Sequence, residues 1–538
     1  MGANIILKGS RVAEVDAKCI AGGIDSKWLM QNAGSSVAAE IIKDYRRLLK
    51  TKKIKGIIVC GGGNNGGDGF VAAADLAAAG IFIDVFFISP PEKFSGDSKF
   101  YFDRLPDSKV ENIKYIDSSI AEDKEYFTNK ARAADFVLDA IFGTGLHKND
   151  VRGQAKDIIG IINSIKDERK KSVRLSVYAC DIPSGVDSDN ARILGNAVKA
   201  DKTVTFGCIK LGIAQYPGKQ YAGQITVSDI GIPDKYYGEY EKIFQVDLSW
   251  VAEKIPMAGP LSYKHSVGKL LVIAGSPGFT GAASMTCQAA MRAGAGIVTL
   301  VCPWELNSIF EIKLTEVMTY PVEQTDDITI HIDAYEEIEK LAQDYDALAI
   351  GPGLSKNPST IRLVREILKN IKKPTVLDAD GLRALYGPKE IETGKSPDFS
   401  HVIITPHAGE LAAILGIEKI PLQDRLKYNY QAAHKYGVIS VLKGAATLVT
   451  SPGGTTYINP AGSWALATAG TGDILTGITG SLLCRKMSLA EAAVCAVFIH
   501  GMASDIMAAK TSRTCQLATD LLEGIKEVFI EIERLKQE

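Results

Sequence analysis

Residues 467–477, ATAGTGDILTG, join a glycine loop to the start of a helix. Small residues lead through Gly470-Thr471-Gly472 into Asp473, and apolar residues then follow at helical spacing. The unpaired N–H groups and the macrodipole of a helix start attract anions. In that turn, Asp473 would face a bound phosphate and take a proton from a nearby hydroxyl. The stretch therefore fits phosphoryl transfer to an alcohol, and taken alone it fits the alternative, an ordinary capped helix after a glycine loop, equally well.

The surrounding second half alternates short apolar runs with helical patterns. This alternation predicts a mostly parallel sheet covered by helices on both faces. The polar turns after the runs should open on one edge of that sheet, near residues 470–473. The run 264–274 begins this sheet; the further predicted strands are 297–301, 347–350, 374–377, 402–404 and 439–442, followed by a short strand at 446–450.

Two side chains in these turns are candidate contacts for ligands. His407 lies in TPHAGE (405–410), just after a strand, where it would contact a substrate; a structural histidine is the alternative. Lys443, followed by Gly444 and Thr447, suits a nucleotide phosphate as well as it suits a surface position. No G-x-x-x-x-G-K-[ST] motif supports the phosphate interpretation separately.

The first half opens its sheet with the apolar run 56–60, the glycine turn GGGNNGGDG (61–69) and an alanine-rich helix to about residue 79. Gly61, Gly63 and Gly66 fit G-x-G-x-x-G, but the nearest acid, Asp84, lies inside the next strand rather than at its tip. A dinucleotide fold places that acid at the tip, so hydride transfer is not predicted. The more specific feature is residues 64–68, where amide oxygens and a carboxylate sit beside freely turning backbone.

Two more strands of the first half end in polar loops. ADFVLDAIFGTGLHKND (134–150) places Asp139 at a strand end, and SVYACDIPSGVDSD (176–189) does the same for Asp181, with Ser184 behind it. Because such loops meet at one sheet edge, Asn65, Asp139 and Ser184 would converge as oxygen ligands for a hard cation. Asp181 would remain free for acid/base work. The alternative is that these turn residues bond their own backbone.

The overall composition and charge predict a globular protein and argue against several classes of function. The chain has 538 residues, 46% hydrophobic and 23% charged, which predicts two or more globular domains. A formal charge of −2 argues against nucleic-acid or membrane partners. Nine scattered cysteines without ligand spacing indicate a reducing compartment. No apolar run reaches about 18 residues and the first residues lack a signal-peptide layout, so we expect no membrane span and a cytoplasmic location.

The motifs as a set resemble a known family. NNGGDG, DAIFGTGL and DIPSGVD resemble the NAD(P)H-hydrate epimerase domain, and GPGL, TPHAGE, KGAAT and AGTGD resemble the nucleotide-dependent NAD(P)H-hydrate dehydratase. Together, in this order, they resemble the bacterial bifunctional NAD(P)H-hydrate repair enzymes over nearly the whole chain. The resemblance implies an α/β fold with a Rossmann-like three-layer domain, 1–238, and a ribokinase-like three-layer domain, 239–538.

The resemblance also implies a pair of reactions. The first domain would interconvert the R and S hydrates of NADH and NADPH. The second would dehydrate the S hydrate at the expense of ADP or ATP through a phosphorylated intermediate, with K⁺ in the first domain, Mg²⁺, and a homo-oligomeric assembly. Two alternatives are a vitamin or sugar kinase of the ribokinase class with a ligand-binding first half, and a first half that only senses a ligand or binds a partner.

Residue roles follow from the same motifs. The resemblance makes Asp181 the acid/base residue at the hydrated ring carbon, and makes Asp473 the base for the ring hydroxyl. The hydrate ligands in the first domain would be Asn64, Asn65, Gly66, Gly67, Asp68, Gly143, Thr144, Gly145, Leu146, His147, Lys148, Asn149 and Asp181. The K⁺ ligands would be Asn65, Asp139 and Ser184. The S-hydrate contacts would be Ala282, Gly353, His407 and Asp473, and the nucleotide contacts Lys443, Gly444, Ala445, Ala446, Thr447 and Gly472.

One departure from the family pattern lies in the first predicted helix, which Asp25 and Ser26 cap. The family usually reads Met-Glu-x-Ala-Gly, whereas this chain reads Met30-Gln31-Asn32-Ala33-Gly34. We interpret Gln31 as an altered helix or subunit contact rather than a change in chemistry.

Overall fold

The structure, a computed structural model, describes residues 4–146, 149–169, 175–238, 242–386 and 398–537. The described residues separate into two units, one of residues 4–238 and the other from residue 242 onward. Each unit alternates strands with helices, and each is described below by itself.

The N-terminal unit is built on a seven-stranded parallel sheet. Its elements are β1 Asn4–Leu7, α1 Gly9–Ala21, α2 Ser26–Tyr45, β2 Lys55–Cys60, α3 Asn64–Ala78, β3 Phe82–Phe87, α4 Gly96–Phe102, β4 Asn112–Tyr115, α5 Ala121–Ala133, β5 Phe136–Ala140, α6 Gly153–Glu168, β6 Ser176–Cys180, β7 Lys202–Phe206, β8 Ile209–Lys210, α7 Leu211–Ala214, α8 Lys219–Ala222 and β9 Gln224–Ser228.

The strand order of this sheet fixes where a ligand would bind. The order is β4-β3-β2-β5-β6-β7-β9, so the first six strands follow the Rossmann order 3-2-1-4-5-6. The direction of winding reverses between β2 and β5. Ligands of such sheets bind outside the carboxyl ends of the strands at this switch point. The loops that start at Gly61 and Ile141 therefore line the expected crevice. Separately, β1 pairs in parallel with β8.

Both faces of the N-terminal sheet are apolar, as a sheet covered on both sides requires. Along β2, Ile58 and Cys60 belong to the core beneath α2 and α3. Ile57 and Val59 point the other way, into the core beneath α5 and α6. The alternation of side chains along a strand thus divides one continuous apolar run between two cores.

The C-terminal unit carries a second, larger sheet. Its elements are β10 Ile243–Gln245, α9 Leu248–Lys254, α10 Lys264–Val267, β11 Lys269–Ile273, α11 Thr280–Arg292, β12 Ile297–Pro303, α12 Asn307–Lys313, β13 Met318–Val322, α13 Tyr335–Ala342, β14 Ala347–Ile350, α14 Pro358–Asn370, β15 Thr375–Leu377, β16 Val402–Ile404, α15 Ala408–Leu415, α16 Arg425–Tyr436, β17 Ile439–Leu442, β18 Leu448–Thr450, β19 Thr456–Ile458, α17 Thr471–Cys484, α18 Leu489–Lys510 and α19 Asp520–Gln537.

The strand order here is β13-β12-β11-β14-β15-β16-β17-β18-β19-β10. Strands β11 to β17 are parallel, β18 is antiparallel to both neighbours, and β10 is parallel to β19. The parallel part again has its switch point between the first and fourth strands, β11 and β14. The mostly parallel sheet predicted from the sequence is therefore present.

One helix bears on the expectation of no membrane span. By length and composition alone, Leu489–Lys510 would be able to cross a membrane. However, 61% of its most apolar window is buried inside the protein, where Val494, Phe498 and Ile499 join the core of the C-terminal unit. This burial is that of a core helix.

Two local features differ from the predictions. Helix α3 begins at Asn64, so Gly66 and Gly67 lie in its first turns rather than in a loop. The reason is packing: a side chain at Gly66 would overlap the carbonyl of Gly61. Helix α1, which follows β1, was not predicted at all. Its buried residues are few and no side chain caps its start.

Candidate active sites

A cavity of about 760 Å³ lies at the switch point of the N-terminal sheet. The loop after β2 contributes Gly62 and Gly63, the first turn of α3 contributes Asn64 and Asn65, and the loop after β5 contributes residues 142–146. Asp68 of α3, Asp181 after β6 and Lys210 of β8 add charged groups to the lining. Elements that are distant in sequence thus meet where the strand order predicts a ligand.

Asp181 and Lys210 form a buried ion pair in this cavity. Lys210 Nζ lies 2.5 Å from Asp181 Oδ1 and donates to the carbonyl of Phe206 at 2.8 Å. Thr205 Oγ1 donates to the same carboxylate oxygen at 3.1 Å. Burial is the largest single influence and lowers the pKa of Lys210, but Asp181, Cys208 and Asp16 together outweigh it, and the pKa lies above its ordinary value. Asp181 has φ of 65°, a sparsely populated conformation often found at functional sites.

Two further carboxyls in the cavity favour the neutral form. Burial, reinforced by Asp181 and opposed by Lys210, raises the pKa of Asp16 on α1 to about 6. Burial also raises the pKa of Asp68 well above its ordinary value, and Asp181 and Asp16 reinforce the rise. A single lysine cannot neutralise all of these acids, so the unpaired ones hold protons more tightly.

Asp139 and Ser184 meet beside the cavity, as the strand–loop pattern predicted. Ser184 Oγ donates to Asp139 Oδ1 at 2.6 Å, and its backbone N–H donates to Oδ2 at 2.8 Å. Burial raises the pKa of Asp139 to about 6 against these hydrogen bonds, which lower it. Asn65 lies against Gly143, and neither atom of its buried side-chain amide has a hydrogen-bond partner among the described residues.

The other predicted contacts of this site fall into three groups. Asn64, Asn65, Asp68, residues 143–146 and Asp181 line the cavity. Gly66 and Gly67 do not line it: they pack against Gly61 and the Met30 side chain. Asn149 is exposed and also lies outside the lining. His147 and Lys148 lie outside the described residues.

Gln31, the departure from the family pattern, is a helix contact. Its Nε2 donates to Ser35 Oγ at 3.0 Å, and Ser35 Oγ donates to Asp75 Oδ2 at 2.5 Å. The network joins α2 to α3 outside the cavity lining, whereas the neighbouring Met30 and Ala33 do line it.

In the C-terminal unit, α17 begins where the glycine loop predicted. Gly470 precedes it with φ of 94°, a left-handed conformation that glycine adopts without strain. Asp473 lies in the first turn, and the backbone carbonyl of Asp473 accepts a hydrogen bond from Thr286 Oγ1 at 3.1 Å. Burial raises the pKa of Asp473 to about 7; Asp378 adds to the rise and Lys443 opposes it. A carboxyl with this pKa suits proton transfer near neutral pH.

Lys443 is held next to Asp473 by Asp378. Lys443 Nζ lies 2.6 Å from Asp378 Oδ1, and Thr476 Oγ1 donates to Oδ2 at 2.8 Å. Asp378 is only 1% exposed, so its oxygens are committed to these partners. Gly472 lies beside both Lys443 and Asp378, because a side chain there would approach Nζ to 3.3 Å. The ammonium therefore faces the start of α17.

The loop after β17 is shaped by a buried arginine. Arg425 donates to the carbonyls of Ala445 at 2.5 Å and Leu442 at 3.2 Å. Burial lowers the pKa of Arg425 to about 10. Thr447 Oγ1 donates to the Gly444 carbonyl at 2.8 Å, and Ala446 takes a φ of 53°. The predicted nucleotide contacts 443–447 thus form one tightly bonded loop.

The remaining predicted contacts also follow strands of this sheet. His407 caps α15: its Nδ1 accepts from the N–H groups of Gly409 and Glu410 at 3.0 and 3.3 Å, and 62% of its side chain is exposed. Gly353, in a left-handed conformation, packs against Phe279 and Ala282. Ala282, in the helix after β11, and Gly353, in the loop after β14, lie at the switch point between these two strands. His407 follows β16 instead.

Comparison with known proteins matches a different family to each of the two units. A family described as NAD(P)H-hydrate dehydratase matches residues 270–527, and one described as YjeF-related protein N-terminus matches residues 26–212. The bifunctional NAD(P)H-hydrate repair enzyme of Moorella thermoacetica is 35% identical over 512 residues, covering 95% of this chain and 93% of that protein. This chain belongs to the bifunctional NAD(P)H-hydrate repair enzyme family. The member from Salinibacter ruber is 33% identical and covers 95% and 93% of the two chains.

Among solved structures, the ADP/ATP-dependent NAD(P)H-hydrate dehydratase from Bacillus subtilis, co-crystallised with ATP/Mg²⁺, is 29% identical. It covers 53% of this chain and 97% of its own, with a TM-score of 0.45. The resemblance to the repair enzyme family is confirmed by the curated relatives, and the predicted α/β fold class is confirmed with them.

Several residues of the two sites were not predicted from sequence. They lie outside the motifs of the repair enzyme family, and several of them contact residues that are far away along the chain. Arg425, for example, is 20 residues from the carbonyl that it contacts, and Asp378 is 65 residues from Lys443. These residues are Asp16, Thr205, Lys210, Asp378, Arg425 and Thr476.

Proposed function

We propose that this chain repairs hydrated NADH and NADPH, with an R/S epimerase in residues 1–238 and an ADP- or ATP-dependent dehydratase in residues 239–538. The observation that supports it best is that each half has its family motifs at a strand-end site where a lysine pairs with a buried aspartate and where burial raises the pKa of a further carboxyl. Both activities belong to the family of this chain.

In the dehydratase, Asp473 takes the proton of the ring hydroxyl as that oxygen attacks the terminal phosphate. The new O–P bond forms while the bond to the nucleotide leaving group breaks. Lys443, beside Gly472, lies where it would compensate the negative charge of the phosphates. Phosphate then leaves from the ring carbon, and loss of a proton from the adjacent carbon restores the dihydronicotinamide. Phosphorylation is needed because hydroxide is a poor leaving group.

In the epimerase, the hydrate would occupy the cavity of about 760 Å³ with its ring near Asp181. Addition of water to an enamine places the hydroxyl on the carbon bonded to nitrogen, so the nitrogen lone pair can expel it. Asp181 transfers the proton at this centre, and Lys210 holds the carboxylate in place. The contacts of Asp181 described above all fall on Oδ1, which leaves Oδ2 to face a substrate.

A K⁺ ion fits beside this cavity. A buried amide without a hydrogen-bond partner is costly, and a cation bound by the Asn65 oxygen would remove that cost. Asp139 and Ser184 would supply the remaining side-chain oxygens, which is the ligand chemistry of hard cations. The ion would order the loops after β2 and β5 around the substrate.

Mg²⁺ would arrive with the nucleotide. In the described part of the chain, no group of three or more His, Cys, Asp or Glu side chains could hold a metal. Mg²⁺ is commonly held by one or two carboxylates together with substrate phosphates, so a complete protein cage is not needed. The proposal also includes a cytoplasmic homo-oligomer, which sedimentation of the purified chain and cell fractionation would test.

The deciding experiment follows recovery of the reduced-nicotinamide absorbance from a mixed R/S hydrate of NADH with Mg²⁺, K⁺ and either ADP or ATP. Wild type should recover all of the NADH and release phosphate. Asp473→Asn should recover none, and Asp181→Asn only the S fraction at the wild-type rate. Recovery that stops at the S fraction in wild type would remove the epimerase. A stable phosphorylated product, or no recovery, would favour a vitamin or sugar kinase instead.

A further inference from the structure

Helix α1 presents one face to the N-terminal cavity. Residues at helical spacing along it, Val12, Asp16 and Ile20, belong to the lining. Asp16 is the charged member of this face, and it is half-buried. An acid placed on an otherwise apolar helix face, directed at a ligand cavity, has no packing role that an apolar residue would not fill better.

The charged groups around the cavity do not balance. Among its described lining residues, carboxyls come from four elements: Asp16 of α1, Asp68 of α3, Asp97 in the first turn of α4, and Asp181 after β6. Lys210 is the cation, and it lies against Asp181. Among these lining residues, Asp16 therefore has no cation of its own, and it lies beside the ion pair of Lys210 and Asp181.

Asp16 and Asp68 differ in how firmly they hold a proton. Burial raises the pKa of Asp68 well above its ordinary value, so Asp68 holds its proton more tightly than a free aspartate does. The pKa of Asp16 is raised by burial to about 6, which lets this carboxyl both give and accept a proton near neutrality. Of the two, Asp16 is therefore the carboxyl suited to proton transfer.

We propose that Asp16 is a second proton-transfer residue of the epimerase and works as the partner of Asp181 at the hydroxyl-bearing ring carbon. The inference rests on the proposed epimerase function. It assigns to Asp16 the half of the reaction that a single base does not perform, because inversion requires one hydroxyl to leave and another to add.

The proposed reaction has two stages, loss of water and its addition to the opposite face of the ring. Asp16 donates its proton to the ring hydroxyl, the carbon–oxygen bond breaks, and water leaves while the ring nitrogen lone pair forms a carbon–nitrogen double bond. Water then adds to the other face of that carbon and gives its proton to the Asp181 carboxylate, as the nitrogen recovers its lone pair. In the opposite direction the two carboxyls exchange roles, and exchange with solvent resets them.

The test uses the full chain, so the dehydratase reports on every variant. With a mixed R/S hydrate of NADH, the fast phase consumes S and the slow phase is limited by epimerisation of R, corrected for the enzyme-free rate. Asp16→Asn should lower kcat of the R phase by about 10²- to 10⁴-fold with little change in KM, and should leave the S phase intact. Asp16→Glu should recover part of the loss. Glu14→Gln, which removes an exposed carboxylate from the same helix, should match wild type.

The pH profile separates proton transfer from a structural role. In wild type the R phase should fall as pH rises through about 6, because Asp16 must be protonated to donate. That limb should be absent in Asp16→Asn. The variant should fold, because asparagine has the shape of the protonated acid. The raised pKa also means that the ionised carboxylate costs stability above pH 6, and asparagine removes that cost.

Three outcomes would count against the inference. If Asp16→Asn keeps the wild-type R phase while Asp181→Asn loses it, Asp16 is not a proton-transfer residue and the epimerase stands. If Asp16→Asn changes KM alone, or keeps the limb near pH 6, the inference also fails. If wild type consumes R no faster than the enzyme-free reaction, the proposed epimerase itself fails.

Discussion

The candidate sites of the two units contain the same kinds of residue at the same point of a parallel sheet, but in different arrangements. In both parallel sheets the winding reverses between the first strand and the fourth. Both sites pair a lysine with a buried aspartate, Lys210 with Asp181 at 2.5 Å and Lys443 with Asp378 at 2.6 Å. Both place a further aspartate nearby whose pKa burial raises, Asp16 to about 6 and Asp473 to about 7.

The difference is which aspartate is free to react. Asp378 has its two oxygens occupied by Lys443 and Thr476, so the unpaired Asp473 is left as the base. The hydrogen bonds of Asp181 fall on one oxygen, so the paired residue itself can work. A buried lysine–aspartate pair therefore does not identify a catalytic carboxylate. The oxygen left without a partner does.

The largest effect should come from Asp473. Asp473→Asn removes the base from the C-terminal site, and we expect the rate of S-hydrate dehydration to fall by about 10²- to 10⁴-fold. R/S exchange, followed by chromatography of the two epimers, should be unchanged. Dehydration within about threefold of wild type would show that another group takes the proton.

Breaking the ion pair of Lys210 and Asp181 should lower both the stability of the N-terminal unit and its epimerase activity. Lys210→Met leaves Asp181 buried without its cation, so we expect a loss of about 3–5 kcal/mol in the stability of the N-terminal unit. Denaturant unfolding of the unit would measure it. The R phase should fall as well, because a displaced carboxylate no longer faces the substrate. Unchanged unfolding would mean that the pair contributes nothing to the fold.

The two sites should respond to pH in opposite directions. Asp473 must be ionised to accept a proton, so the S phase should rise with pH and level off above about 7, the value to which burial raises its pKa. Below that point we expect a fall of about tenfold per pH unit. Stopped-flow rates of S-hydrate consumption at saturating nucleotide would give the profile. An S phase that declines as pH rises would exclude Asp473 as the base.

Removing K⁺ should affect only one unit. With K⁺ well above its dissociation constant, we expect a stabilisation of about 1–3 kcal/mol of the N-terminal unit that is lost when choline replaces it. Asp139→Asn should abolish the dependence on K⁺. Thermal unfolding with and without K⁺ is the measurement, and equal stabilisation of the Asp139→Asn variant would place the ion elsewhere.

The smallest effect should come from restoring the family residue at position 31. Gln31→Glu replaces the donor to Ser35 with an acceptor near Asp75. We expect a loss of less than about 1 kcal/mol in stability and an R phase equal to that of wild type. A change in the R phase of tenfold or more, on the scale of a catalytic contact, would connect α2 to the chemistry.

Local patterns were sufficient for the residues that carry motifs. The strand–loop junctions at Asp139 and Asp181, and the glycine loop before Asp473, were identified from sequence because each joins a recognisable strand or helix to polar residues. Asp16 was missed because α1 has no side-chain cap, and buries Val12, Val15 and Cys19 with little other apolar surface. Lys210 was missed because it lies on a strand of two residues.

Contacts between distant residues explain the rest. Thr476 reaches Asp378 across 98 positions, and nothing in either local pattern marks the pair. The glycines of α3 were misplaced for a related reason. Their role is close approach to Gly61 and Met30, which depends on tertiary packing rather than on turn conformation.

The bonds from Arg425 to the loop after β17 have a consequence for nucleotide binding. Its hydrogen bonds to Leu442 and Ala445, with the bond from Thr447 to Gly444, give the loop its shape through contacts within the protein. A nucleotide that binds there does not have to order a flexible loop, so its affinity is not reduced by that entropy cost. The loop is preorganised, and this part of its conformational entropy is lost during folding rather than during each encounter with ADP or ATP.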